Sequence, residues 1–127
     1  MITRGTTPYH SFILPLTTDQ INTVYITYLQ NNEVILDKST EDITIEDVIE
    51  DLDNATMNEE ITEEFIPSAQ ITLHLSQEDT LKFHFYPAAE KNIAVVQLRV
   101  LTNDGEAYAS EPIHERIYGV LKEGVIG

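Results

Sequence analysis

The stretch from Ile93 to Thr102, IAVVQLRVLT, runs straight into Asn103-Asp104-Gly105 and constrains the fold of this chain more than any other. Ten residues rich in β-branched side chains, ending in a turn that Gly can close, predict a central strand entering a tight hairpin. Strand geometry sends alternate side chains to opposite faces. Ala94, Val96, Leu98 and Val100 therefore share one face, and Ile93, Val95, Gln97, Arg99 and Leu101 share the other. With apolar residues on both faces, the strand is expected mid-sheet and partly covered on its second side.

The same alternation recurs along the chain. Pro8 and Pro15 bracket an apolar run in which Phe12 and Leu14 share a face, as suits an edge or first strand. Thr17 to Gln20 reads as a turn or a single helical turn. Val24 to Gln30 and Glu33 to Lys38 form a hairpin across Asn31-Asn32, since Asn tolerates left-handed backbone. Gln70 to Leu75 and Thr80 to Tyr86 are predicted strands, joined by a turn in which Ser76 accepts from N–H groups two or three residues on. Glu106 to Ser110 and Ile113 to Leu121 complete the set, with a bulge or close approach at Gly119.

About seven short strands with turn signals between them predict an all-β fold, an Ig-like antiparallel β-sandwich, as one domain over residues 1–127. The likeness is architectural, because the Cys and Trp hallmarks of true immunoglobulin domains are missing: the chain has neither residue. A chain of 127 residues buries a core without metals or disulfides. The lack of Cys removes thiolate zinc sites and cysteine nucleophiles. No apolar run reaches the roughly 18 residues of a membrane helix, and MITRGTTPYH lacks the apolar core of a signal peptide. The chain is expected to be soluble and unexported.

The formal charge is -15, and it is unevenly placed. Between Glu41 and Glu64 stand 11 acidic residues and no basic one, whereas the rest of the chain sets 11 acids against 7 bases. This balance excludes direct nucleic-acid binding, which needs clustered Lys and Arg. The stretch also breaks the period-2 pattern. Ile45, Val48, Ile49 and Leu52 fall at i, i+3, i+4, i+7, and Thr44 with Asp47 has capping-box spacing. Residues 41–69 are therefore read as an acidic insertion carrying a short amphipathic helix, with an elongated strand pair or a loop as the alternatives. Ile61 and Phe65, one turn apart, suggest a second helical turn ended by Pro67.

Catalytic chemistry finds little to stand on. In the strand registers above, His74 and His84 face solvent on neighbouring strands, where two imidazoles can hold a metal, but no carboxylate at fixed short spacing completes the site. No Ser sits in a nucleophile elbow. Asp51-Leu52-Asp53-Asn54-Ala55-Thr56 fails as an EF-hand at Ala55, Thr56 and Thr62, which leaves a looser calcium site among Asp51, Asp53, Glu59 and Glu60 to weigh against a solvated face. The acidic stretch itself has three readings: a solubilising insertion, a docking surface for a basic protein, or a nucleic-acid mimic.

The pieces MITRGTTPYHSFILPL, VYITYLQNNEVILDK, ITLHLSQEDTLKF, VQLRVLTNDGEAYAS and IYGVLKEGVI together resemble a family of small proteins of phages and prophages of Firmicutes, especially gut Clostridia. RGTTP and SQEDTLKF carry the resemblance most specifically, and Glu41 to Ala69 lies outside it. The resemblance implies a virion component rather than an enzyme, and it carries no functional residue.

The expectation is thus a non-enzymatic phage virion protein, made in the host cytoplasm, without cofactor: a head decoration, head–tail connector or tail/baseplate component. Its partners would be other phage structural proteins, as a homo-oligomer or symmetric assembly, with no direct nucleic acid and no membrane. Contacts are assigned to Glu46, Asp47, Glu50, Asp51, Asp53, Glu59, Glu60, Glu63 and Glu64. The alternatives are an acidic inhibitor of a host nucleic-acid-binding protein and a calcium-dependent carbohydrate-binding module.

Overall fold

In the computed structural model, which describes residues 1–51, 65–89, 92–121 and 123–126, β-branched runs and turn residues set out nine strands and one short helix. These are β1 (Ile2–Thr3), β2 (Tyr9–Leu14), β3 (Ile21–Gln30), β4 (Glu33–Ser39), β5 (Ile43–Asp51), β6 (Phe65–His74), α1 (Gln77–Leu81), β7 (Ile93–Thr102), β8 (Ala107–Ala109) and β9 (Ile113–Tyr118). Thr18–Gln20 forms a single 3₁₀ turn. A six-stranded sheet has the order β1-β9-β7-β3-β4, with β8 also on β7, and a three-stranded sheet has the order β2-β6-β5. The chain is an all-β sandwich.

The strand order explains the Ig-like reading. Taking β2 as strand B, the sheets become B-E-D and G-F-C-C′, the arrangement of a variable-type immunoglobulin sandwich. Two strands, β1 and β5, lie outside the predicted set of strands. β1 pairs β9 in parallel, Ile2 opposite Ile117, so the six-stranded sheet is mixed rather than purely antiparallel. The edge beside β7 is split into β8 and β9, with Ser110 binding Leu98 through both its N–H (2.8 Å to the carbonyl) and its hydroxyl (3.0 Å from the N–H).

β7 has the predicted ends and faces. Ala94, Val96, Leu98 and Val100 are buried, and they pack with Val24, Ile26 and Tyr28 of β3 and Ile71 and Leu73 of β6. Asn31 and Asn32 take φ of 55° and 64°, the left-handed pair a tight hairpin requires. Gly119 lies where a Cβ would sit 2.7 Å from the Phe85 ring, so the expected close approach is real.

Two expectations fail, each for an identifiable reason. Thr80 to Tyr86 is not a strand. Ser76 accepts from the Asp79 N–H, Asp79 accepts from the Ser76 N–H, both at 3.0 Å, and this capping box starts α1. The backbone that follows is satisfied by side chains instead of a neighbouring strand. The buried Gln30 amide exchanges two 2.7 Å hydrogen bonds with His84, and the buried Asn92 amide bonds the N–H and carbonyl of Tyr86. Phe83 still enters the core, edge-on to Tyr28.

The helix expected from Ile45 is the strand β5, in antiparallel register with β6 from Ile43↔Leu73 to Asp51↔Phe65. The elongated strand pair is the correct alternative. Ile43 and Ile45 pack against the core at period 2, and the helical spacing arose because Val48 and Ile49 are adjacent. β-branched residues such as these favour the pleated backbone. The second helical turn expected at Ile61 lies outside the described residues, although Phe65 belongs to β6.

Candidate functional site

β5 is the outer strand of the three-stranded sheet, and among the described residues its second edge pairs with nothing. Such an edge presents unpaired backbone N–H and C=O groups to any incoming strand. β2 covers β6 only as far as Leu14↔Ala69, so the last four pairs of the β5–β6 ladder, Val48↔Ser68 to Asp51↔Phe65, form a two-stranded ribbon beyond it. Six of the 11 clustered acids, Glu41, Asp42, Glu46, Asp47, Glu50 and Asp51, lie on this strand or the turn before it.

The nine assigned contact residues divide accordingly. Glu46 is exposed on the outer face of β5, opposite Gln70. Glu50 and Asp51 stand in the ladder opposite Ile66 and Phe65. Asp53, Glu59, Glu60, Glu63 and Glu64 lie outside the described residues. Asp47 has a different role: its carboxylate accepts from the N–H and the hydroxyl of Thr18, both at 2.9 Å, and so fastens the 3₁₀ turn to β5. The carboxylate expected to cap a local helix instead meets the start of a helical turn 29 residues earlier.

The imidazole pair does not form. His74 stacks on Tyr9 across β6 and β2, with ring centroids 4.0 Å apart. His84 lies past α1, its Nε2 3.9 Å from the Glu33 carboxylate. They are not on neighbouring strands because the second strand does not exist. Among the described residues no group of three or more His, Asp or Glu side chains is placed to hold a metal. Of the looser calcium set, Asp53, Glu59 and Glu60 lie outside the described residues.

One polar pair escaped the sequence reading. His10 on β2 and Tyr28 on β3 share a 2.5 Å hydrogen bond between Nδ1 and the phenol oxygen, inside the sandwich. Burial lowers the His10 pKa, against the raising effect of Glu115, and burial with the Glu115 and Asp79 carboxylates pushes the Tyr28 phenol up. Both are thus held neutral. The signal was present in the first strand, where His10 has the same parity as Phe12 and Leu14.

The second face of β7 remains open. Leu101 is 41% exposed and Val95 half-buried, and Tyr25 of β3 is 45% exposed on the same face. Neither Val95 nor Leu101 is fully buried, so this face can take a second cover. No helix among the described residues is long and apolar enough to cross a membrane. Comparison with protein-family models, with curated proteins and with solved structures finds no match for this chain.

Proposed function

We propose that this chain is a non-enzymatic protein-contact module, and that its setting is a phage particle, as head decoration, head–tail connector or tail/baseplate component. The observation that carries the contact role is the edge of β5, unpaired among the described residues, nine residues long, acidic and extended past the end of β2. A solvated guard against aggregation explains the charge of such an edge but not its length, since natural edges are blunted by shortness as well as by charge. Acidic residues around an open ladder favour a basic partner, with association accelerated by the field and weakened by salt. The open face bearing Tyr25 and Leu101 supplies a second surface, suited to a neighbouring subunit in a symmetric assembly.

The particle setting is supported by the resemblance carried by RGTTP and SQEDTLKF. Mass spectrometry of purified particles tests it, with the chain expected at stoichiometric copy number; particles that lack it end the proposal. Replacing Glu46, Glu50 and Asp51 by Gln or Asn tests the contact role. Partner capture should weaken and lose its salt dependence, and capture unchanged by neutralisation removes β5 from the interface.

A further inference from the structure

Among the described residues the two sheets differ in width, six strands against three, and β8 is an outer strand of the wider sheet, paired with β7 alone. Tyr108 pairs with Val100 and so points toward the space between the sheets, yet it is 49% exposed where Val100 is 3%. Beneath it opens a cleft of about 260 Å³, walled by Leu14, Leu16, Leu98, Val100, Tyr108 and Ala109. Its wall includes core residues, since Leu98 is 1% exposed. Pockets for drug-sized ligands measure roughly 300–1,000 Å³, so this smaller cleft has room for a single large apolar side chain.

The cleft continues into a polar hollow that shares Leu16 and Tyr108 and is rimmed by Asp19, Asp104 and Glu106. Among the described residues no Lys, Arg or His lines either part. The rim is held in place. The Asn103 N–H donates to the Gln20 carbonyl at 2.9 Å, the Asn103 amide donates to the Asp19 carbonyl, and the Tyr108 hydroxyl donates to the Glu106 carboxylate at 2.7 Å. The Thr102 hydroxyl beside Asp104 holds that carboxyl below its ordinary pKa, so Asp104 stays charged near neutrality.

An apolar slot against three carboxylates, on a chain of charge -15, selects a ligand that is apolar and cationic over a short span. We propose that the cleft receives one large apolar side chain from a basic segment of a partner protein, with a flanking Lys or Arg at Asp19, Asp104 or Glu106. This rests on the protein-contact reading above and names a second place where the contact is made, on the seam rather than on β5.

Titration of the ¹⁵N-labelled full chain with the capped pentapeptide Gly-Lys-Phe-Lys-Gly, read by NMR, tests it. Shifts are expected at Leu98, Val100, Asn103 and Ala109. Exchanging the peptide's Phe for Ser should weaken binding at least about tenfold. The exposed rim variants Asp104→Asn and Glu106→Gln should each weaken it about two- to fivefold, with the rest of the spectrum unchanged. Equal affinity of the Ser peptide, or full affinity of the Asp104→Asn/Glu106→Gln double variant, overturns the proposal. So does binding of 4-phenylbutylamine in the cleft with no binding of the peptide, which would mark a small-amine site. Shifts confined to Thr44 and Glu46 overturn the cleft while favouring contact at β5, so the two readings fail separately.

Discussion

His10 on β2 and Tyr28 on β3 tie the two sheets together through a 2.5 Å hydrogen bond in the core. In the immunoglobulin correspondence these residues stand on strands B and C, where antibody domains place a half-cystine and the core tryptophan. A chain without Cys or Trp thus joins its sheets by a neutral polar pair, with Phe83 packed edge-on against the Tyr28 ring. Tyr28→Phe should cost about 1–3 kcal/mol, because it leaves the imidazole nitrogen desolvated and unpaired. The double variant Tyr28→Phe/His10→Leu should recover part of that loss. Urea unfolding of the single and double variants measures both.

The same pair sets a pH dependence. Burial lowers the folded His10 pKa below the ordinary 6.5, so the unfolded chain binds more protons as pH falls below that value. The stabilisation is present above about pH 6.5 and is lost as pH drops through the folded pKa. Protonation of the many carboxylates acts on the same curve, so the difference between wild type and His10→Gln isolates the effect. That difference should shrink as pH falls from 7 to 5; a constant difference would falsify the assignment.

Asp47 and Glu46 are neighbours in sequence with opposite consequences. Asp47→Ala removes both bonds to Thr18 and should cost about 1–2 kcal/mol, the magnitude of a lost helix cap. Glu46→Gln, on an exposed position, should change stability by less than about 0.5 kcal/mol. Thermal melts of the two variants decide this. Charge-neutralising series meant to probe binding should therefore leave Asp47 in place.

Asp79 holds α1 and β4 together. Burial pushes its carboxyl up, but the Ser76 N–H and the Lys38 ammonium, 3.1 Å away, outweigh it and keep the pKa below the ordinary value. Asp79→Asn keeps an acceptor at the cap but leaves Lys38 unpaired, whereas Asp79→Ala loses both. The Asn variant should cost about 1–2 kcal/mol and the Ala variant about 2–4 kcal/mol. The wild-type advantage should be present above about pH 4 and fade as pH falls through the folded pKa. Denaturant midpoints at pH 7 and pH 3 check both the ranking and the sign.

What could be read in the amino-acid order was local. Period-2 alternation placed β7 with its ends and faces, the Asn31-Asn32 and Asn103-Asp104-Gly105 turns fixed two hairpins, and Ser76 announced its cap. Each depends on residues within one strand or turn, where sterics and local hydrogen bonds act without reference to the rest of the chain. The misreadings came where two local patterns competed. Leu81, Phe83 and Phe85 alternate like a strand, but the Ser76–Asp79 box and the amides of Gln30 and Asn92 took the backbone bonds that a strand would need.

The acidic stretch shows the same limit from the other side. Ile45, Val48 and Ile49 suit a helix as well as a strand, and only pairing with β6 chooses between them, by placing them opposite Ile71, Ser68 and Pro67, well beyond the reach of a local turn. The candidate surfaces were still less legible. The outer edge of β5, the His10–Tyr28 tie and the cleft under Tyr108 all arise from which strands neighbour one another and from sheets of unequal width. Strand identity follows from local side-chain pattern; edges, clefts and sheet-to-sheet contacts follow from long-range packing of the apolar faces, which no single segment encodes.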